Sequence, residues 1–308
     1  MNVLCVVDHL VMGVTQLHDV VYVVCFESFS ILRFNATTHQ QLTEIIVDDL
    51  RAPRDIVACQ QTSQLYVVDW PRSEHRCIWR VSTDGTDIKR WLPKSPSDTF
   101  NPVSLSVTST DLLVTSHDPH QLIQFDSVGC ELRRVRLGGM VPMRAVKPLF
   151  RRSKRPLKQF DSVGDELLLG NMEPQHAVAS STRTFVVSLF NTQLKQGQVV
   201  VVNNVGEVLR KLTDSRLSSL GLTPRVAVDS RGNIFLANYL PGRILLLDSQ
   251  LNLRHTIIDK QLSFTSPINH HQPFYEGPLR LCYNEQSGQL LVGLFVGHVV
   301  VFDVLSWA

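Results

Sequence analysis

A pair of short apolar strands separated by a polar turn recurs six times along the 308 residues of this chain. The first strands of the pairs read VVYVV, LYVV, LLVTS, FVVSLF, IFLAN and LLVGLF. Between equivalent positions from Tyr22 to Leu291, the spacings are 44, 47, 72, 50 and 56 residues. Internal repetition of this kind constrains the fold strongly, because each unit must bury its faces against the next unit.

A third apolar strand introduced by proline precedes most of these pairs, and a polar, edge-like strand follows several of them. The strands that begin with proline lie in APRDIVAC, NPVSLSV, EPQHAVA, TPRVAVD and GPLRLCY. Four short antiparallel strands in a unit of about 40–50 residues are typical of a β-propeller blade. We therefore predict an all-β fold, a six-bladed β-propeller that occupies residues 1–308 as a single domain.

The last repeat reaches its third strand, HVVVFDV, close to the end of the sequence. We predict that the N-terminal segment 2–8 supplies the outer strand of this blade, which would close the ring and cover two exposed sheet edges. A seven-bladed ring is the alternative, and it requires the excess of the 72-residue interval to form a blade from only 35 residues. We expect the closed ring to be a monomer.

The interval of 72 residues contains a tandem duplication, because QFDSVG occurs at 124–129 and again at 159–164. The offset of 35 residues differs from the blade spacing, so the motif is not the blade unit. We predict that the first copy forms the third strand of its blade and leave open which copy supplies the fourth. The duplication would then leave an inserted loop at about 135–160.

The predicted insertion is strongly basic. Residues 140–158 hold seven lysines and arginines and no acid, and the formal charge of the chain falls from +2 to −5 without them. One hypothesis is a nucleic-acid-binding or nuclear-localisation patch, formed by Arg151, Arg152, Lys154 and Arg155. The alternative is a solvated loop, since only Phe150 is nearby to stack on a base.

The segment LTPRVAVDSRGNIFLANYLPGRILLLD, at 222–248, resembles an NHL repeat in its proline, its VAVD strand, its Gly-Asn turn and its Arg-Ile pair. Asn238 stands where the family has aspartate, and residues 52–81 show a weaker likeness. The resemblance implies a six-bladed platform like the C-terminal propeller of tripartite-motif proteins, which binds protein or RNA. The RING, B-box and coiled-coil modules of those proteins have no counterpart in this sequence. Ubiquitin-ligase activity would therefore have to come from another chain or from sequence that this chain lacks.

We predict a non-enzymatic binding or scaffold module for protein partners, with no cofactor. The candidate binding residues are loop groups at blade junctions, namely Trp70, Arg72, His117, Asn191, Tyr239 and Arg243. RNA binding is the second hypothesis. The third is a metal-dependent hydrolase, because Glu276-Gly277-Pro278 resembles a mark of the gluconolactonase family and Asn238 offers a further oxygen ligand.

The six cysteines are scattered without any CxxC pair, so the sequence indicates neither a zinc finger nor a disulfide framework. No apolar run approaches the roughly 20 residues that span a bilayer. The apolar N-terminus lacks the basic region of a secretory signal. These features predict a cytoplasmic protein without membrane contact, and the basic loop makes the nucleus the alternative location.

Overall fold

A computed structural model of the chain describes residues 2–7, 9–71, 76–93, 100–108, 110–117, 120–137, 172–181, 183–212, 224–239, 242–258, 277–295 and 297–304. These residues form 24 β-strands arranged as six four-stranded antiparallel sheets. The prediction of an all-β fold with six four-stranded blades is confirmed. The described residues include no helix that is long and apolar enough to cross a membrane.

The first three blades follow one another along the chain, and each runs from an inner strand to an outer strand. Blade 1 contains β2 (Val11–Leu17), β3 (Val20–Cys25), β4 (Ser30–Asn35) and β5 (Gln41–Ile46). Blade 2 contains β6 (Pro53–Cys59), β7 (Gln64–Asp69), β8 (Cys77–Ser82) and β9 (Ile88–Trp91). Blade 3 contains β10 (Pro102–Val107), β11 (Leu112–Ser116), β12 (Gln121–Phe125) and β13 (Glu131–Arg136).

The last three blades repeat this order, except that the final blade takes its outer strand from the N-terminus. Blade 4 contains β14 (Glu173–Ala179), β15 (Thr184–Asn191), β16 (Gln196–Asn203) and β17 (Val208–Lys211). Blade 5 contains β18 (Arg225–Val228), β19 (Ile234–Asn238), β20 (Arg243–Leu247) and β21 (Leu253–Ile258). Blade 6 contains β22 (Pro278–Asn284), β23 (Gln289–Leu294), β24 (His298–Asp303) and β1 (Asn2–Val6).

The ring closes between the two ends of the described chain. Strand β1 pairs antiparallel with β24, and the backbone N–H of Val7 donates to the carbonyl oxygen of Gly297 at 2.7 Å. The inner strand of every blade also contacts the inner strands of both neighbouring blades. The predicted N-terminal closure is therefore confirmed.

The hydrophobic core consists of six clusters, one between each pair of neighbouring blades. Strand β7 shows how one strand serves two of them. Leu65 and Val67 pack toward blade 1, whereas Tyr66 and Val68 pack toward blade 3. Successive side chains of a strand point to opposite faces, so a sheet that is covered on both faces needs an almost continuous apolar run.

The first QFDSVG copy forms a hairpin turn between the third and fourth strands of blade 3. The Asp126 carboxylate accepts hydrogen bonds from the backbone N–H groups of Val128 at 3.0 Å and Cys130 at 2.7 Å. Gly129 adopts a φ of 83°, which glycine reaches without steric cost. The first copy therefore forms the end of the third strand and the turn into the fourth strand, which begins at Glu131, while the second copy lies outside the described residues.

The same turn chemistry joins β18 to β19 in the segment that resembles an NHL repeat. Asp229 accepts from the backbone N–H groups of Arg231 at 3.0 Å and Asn233 at 2.7 Å, and Gly232 has a φ of 82°. Glycine reaches this backbone conformation without steric cost.

In blades 2 and 3, the polar residue that ends the second strand is buried and hydrogen-bonds to the residue just before the inner strand of the same blade. In blade 2 the Asp69 carboxylate accepts from the backbone N–H of Ala52 at 2.6 Å and from the Trp79 indole N–H at 3.3 Å. In blade 3 the Ser116 hydroxyl accepts from the backbone N–H of Asn101 at 3.2 Å. In these two blades the bonds hold the residue that directly precedes the inner strand.

All six cysteines are free, and four of them are buried. Cys5 and Cys25 pack in the interface between blades 6 and 1, where burial raises the pKa of each thiol to about 12. These two side chains are therefore protonated at neutral pH and serve as small apolar groups in the core.

Candidate functional site

One end of the ring carries an aromatic side chain just after the second strand of five blades. We call this set the aromatic face, and its members are Phe26, Trp70, His117, Tyr239 and Phe295. In four of them the backbone N–H donates to the carbonyl oxygen of the residue that precedes the inner strand, at 2.9–3.1 Å. The repeated backbone geometry therefore places four of the rings at one end of the propeller, and the fifth, that of Tyr239, lies beside Phe295.

Arginine side chains lie over several of these rings. The Arg54 guanidinium carbon is 5.6 Å from the centroid of Phe26 and 5.0 Å from that of Trp70, and Arg76 lies 3.1 Å above Trp70. Beside them, Arg51 lies over the exposed ring of Phe29. Cations at these distances are attracted to the faces of aromatic rings. Blades 1 and 2 thus share a patch of alternating arginine and aromatic side chains.

The patch borders two histidines of blade 3. The rings of His117 and His120 meet edge to face with centroids 5.7 Å apart, and His117 Nε2 donates to the carbonyl oxygen of Pro174 at 3.0 Å. Burial lowers the pKa of His117, and Arg76 contributes to this shift. His117 is therefore mainly neutral at pH 7 and links blade 3 to blade 4.

The structure brings most of the sequence-predicted binding residues to this end. Trp70, His117 and Tyr239 belong to the aromatic face, and the Tyr239 ring lies 5.3 Å from that of Phe295. Arg243 begins β20 opposite Asn238 and is half-buried. Arg72 lies outside the described residues.

Asn191 also ends a second strand, but its side chain is buried and bonded to the following turn. Its Oδ1 accepts from the backbone N–H groups of Gln193 at 3.0 Å and Leu194 at 2.8 Å. This geometry gives Asn191 a local role in blade 4.

Of the remaining predicted candidates, some lie outside the described residues and one is described. The basic residues Arg151, Arg152, Lys154 and Arg155 and the metal candidate Glu276 lie outside the described residues. Asn238 is the buried last residue of β19. Within the described ranges, no three His, Cys, Asp or Glu side chains are grouped closely enough to hold a metal ion.

The axis of the ring holds a cluster of charged residues that the sequence analysis did not identify. A cavity of about 160 Å³ is lined by the inner strands of all six blades. We call its charged and histidine side chains the axial cluster, which comprises Asp55, His176, Arg225 and Arg280. Each has a relative exposure of 8% or less.

Asp55 and Arg225 form an ion pair across the axis, with Nη1 and Oδ2 3.9 Å apart. The Asp55 carboxylate also accepts from the backbone N–H groups of Leu105 and Ile56, each at 3.1 Å. Burial raises the pKa of Asp55, whereas Arg225, Arg280 and these two hydrogen bonds oppose the shift. We take Asp55 as a carboxylate at neutral pH, because four favourable partners surround it.

Arg280 connects three blades through backbone carbonyl oxygens. Its Nη2 donates to Arg54 in blade 2 and its Nη1 to Leu279 in blade 6, at 2.7 and 2.8 Å, and its Nε donates to Met12 in blade 1. Burial and Arg225 lower the pKa of Arg280 to about 9, so the guanidinium keeps its charge at neutral pH.

His176 joins blades 3, 4 and 5. Its Nδ1 accepts from the backbone N–H of Val226 at 3.4 Å, so Nε2 carries the hydrogen and donates to the carbonyl oxygen of Leu105 at 3.2 Å. Burial, together with the charge of Arg225, lowers the pKa of His176 well below its usual value. The imidazole is therefore neutral, and the two arginines outweigh the single carboxylate of the axial cluster.

A β-bulge explains how three side chains of the axial cluster reach the axis, namely Asp55, His176 and Arg280. In five blades the register of the inner strand shifts between two residues near its start that are two positions apart. In four of these blades the second residue of that pair is polar, namely Asp55, Ser104, His176 or Arg280. Bulges reorient side chains and often occur beside functional sites. One sequence signal could have identified these residues. It is a polar residue two positions after a proline, and it recurs in four apolar strands.

Known proteins resemble this chain in fold. No protein-family model matches the sequence. No curated protein matches it either. Among solved structures, hydrazine synthase of Kuenenia stuttgartiensis has a TM-score of 0.57 and 12% identity, over 94% of this chain and 82% of that one. The Cps50 (Swd1) β-propeller domain of Myceliophteria thermophila has a TM-score of 0.54 and 9% identity, over 96% and 84%.

A structure of a nidogen/laminin complex is also similar, with a TM-score of 0.51 and 14% identity over 81% of this chain and 80% of that one. The chain is a six-bladed β-propeller. At these identities the likenesses concern the fold alone, since propellers of one shape carry many unrelated functions.

Proposed function

We propose that this propeller is a binding module that takes a protein partner on its aromatic face. The observation that carries the proposal is the placement of Phe26, Trp70, His117, Tyr239 and Phe295 at one end of the ring. All five side chains are half-buried, so their inner parts pack against the scaffold while their outer parts stay accessible. Rigid aromatic groups of this kind are the usual anchors of protein interfaces.

The arginines around these rings support the same proposal. Arg54 and Arg76 lie over Trp70, and Arg51 lies over Phe29. Tryptophan, tyrosine and arginine dominate the binding energy of most interfaces. Positive charge beside the rings favours an acidic or carboxylate-rich segment of the partner. The residues that resemble an NHL repeat, and a similar structure that is a complex of proteins, are compatible with this role.

Substitution of the aromatic face tests the proposal. Proteins retained by the immobilised wild-type chain would be identified, and the affinity of the purified partner would then be measured for wild type, Trp70→Ala and Tyr239→Ala. We expect each substitution to weaken binding by at least about tenfold, as for a central anchor of an interface. Leu209→Ala is the matched control, because Leu209 is exposed on the outer strand β17. Equal affinities for all four proteins would contradict the proposal.

RNA is a second candidate ligand, favoured by the stacked arginine and aromatic side chains of blades 1 and 2. Such groups also stack on unpaired bases. A labelled single-stranded RNA tests this candidate by anisotropy at two salt concentrations, since phosphate contacts make affinity fall steeply with salt. The variant for this test replaces four basic residues by glutamine, namely Arg151, Arg152, Lys154 and Arg155. RNA binding that is lost in Trp70→Ala and weakened by this variant would replace the protein-partner proposal.

A further inference from the structure

The axial cavity carries an excess of buried positive charge. Arg225 and Arg280 are each 6% exposed, and Asp55 is the only carboxylate among the residues that line the described cavity. Because His176 is neutral, the axial cluster holds a net charge of +1. An isolated buried charge is costly unless a counter-charge compensates it.

Two residues beside the cavity carry buried hydrogen-bond donors that have no acceptor within the described part of the chain. They are Nε of Arg225 and the hydroxyl of Ser106, and both residues line the cavity. The hydroxyl of Ser104, on the same strand as Ser106, is buried and unsatisfied as well. Buried donors are normally satisfied, and a bound group is one of the few explanations for several exceptions at one place.

Charge and size together limit what this cavity can hold. One monovalent anion neutralises the axial cluster, whereas a dianion would leave excess negative charge beside Asp55. A volume of about 160 Å³ is close to the roughly 150 Å³ of an apolar cavity that binds benzene, so a ligand of about six non-hydrogen atoms fits. Much of the remaining wall is aliphatic and includes Val14, Val107 and Val178. The cavity therefore suits a carboxylate with a short apolar tail.

We infer that the axial cavity is a binding site for a small aliphatic monocarboxylate. The carboxylate oxygens accept hydrogen bonds from the Nε–H of Arg225 and from the Ser106 hydroxyl, and the alkyl chain lies against the valine side chains. Charge-assisted hydrogen bonds to a guanidinium supply the affinity. This site differs from the aromatic face, so the inference does not depend on the protein-partner proposal.

The experiment uses the purified full chain and sodium butyrate as the probe, with sodium chloride of equal ionic strength as the reference. We expect a saturable heat of binding by calorimetry and a melting temperature that rises with butyrate concentration, because a ligand of the native state stabilises it. Sodium phosphate is the competing probe. Absence of saturable butyrate binding, or tighter binding of phosphate than of butyrate, would overturn the inference.

Two substitutions give opposite expected results. Arg225→Gln removes the charged donor and is expected to weaken butyrate binding at least about tenfold. Asp55→Asn removes the competing carboxylate and is expected to tighten it. Arg231→Gln is the matched control, because Arg231 is exposed on the turn before β19. Should Arg225→Gln fail to fold, Ser106→Ala removes the second donor and must also weaken binding. Unchanged affinity in the folded variants would overturn the inference.

Discussion

Arg225 and Asp55 form an ion pair between blades 5 and 2, which lie on opposite sides of the ring. The two residues are 170 positions apart in the sequence, and both are almost fully buried. Each also binds a third blade, Arg225 through the carbonyl oxygen of Gln175 and Asp55 through the N–H of Leu105. The centre of the propeller is therefore held by polar contacts, while the blade interfaces are held by apolar packing.

Replacement of Arg280 should destabilise the ring. In Arg280→Met the carbonyl oxygens of Met12 and Arg54 lose their donors, and we expect the free energy of unfolding to fall by about 3 kcal/mol. Urea denaturation monitored by tryptophan fluorescence measures this quantity. Arg231→Met is the control for loss of an exposed arginine, expected within about 0.5 kcal/mol of wild type. A similar stability for both variants would show that the three carbonyl contacts contribute little.

Buried His176 should make the protein less stable in mild acid. Its folded-state pKa is lowered, so the unfolded chain binds a proton below about pH 6.5 that the folded chain does not, and stability falls as pH falls. We expect His176→Gln to reduce the stability difference between pH 7.5 and pH 5.0 by about 2 kcal/mol. Urea denaturation at the two pH values checks this. The remaining pH dependence includes His117 and His298, whose pKa values are also lowered by burial.

His255→Gln provides the control for loss of an exposed histidine. If His176→Gln retained the full pH dependence of wild type, the buried imidazole would not be the group that titrates on unfolding.

The ring closure can be tested with a matched pair of glycines. Gly297 and Gly242 have φ values of 87° and 82°, so alanine is strained at both positions. A Cβ at Gly297 would also overlap the carbonyl oxygen of Val7 beside β1, whereas a Cβ at Gly242 would meet nothing within 4 Å. We expect Gly242→Ala to cost about 1 kcal/mol and Gly297→Ala about 3 kcal/mol of unfolding free energy. Equal melting temperatures for the two variants would argue against a tight closure.

Much of the fold was predictable because blade formation depends on local patterns. The continuous apolar run of β7 and the proline at or near the start of five of the six inner strands are each visible within a short stretch of sequence. The turn at Asp126 and Gly129 likewise depends on five consecutive residues. Such features need no knowledge of distant segments, so the blade number and the N-terminal closure could be inferred from the chain alone.

The aromatic face was predictable only in part. Trp70, His117 and Tyr239 were identified as loop residues at blade junctions, but Phe26 and Phe295 were not. Nothing in the sequence marks these two phenylalanines as equivalent to Trp70. Their equivalence follows from backbone bonds to Leu10 and Gly277, which exist only when each blade is paired.

The sequence by itself determined the number of strands per blade, the number of blades and the turn chemistry, because these follow from side-chain periodicity and local backbone preference. Only the tertiary structure decided which polar residues meet at the axis. Asp55, His176, Arg225 and Arg280 belong to four different blades. Closure of the ring brings their inner strands together, and in three of those strands a bulge determines which side chain reaches the axis. The partner of a charged residue in an apolar strand lies on the opposite side of the ring, so the pairing exists only in the closed propeller.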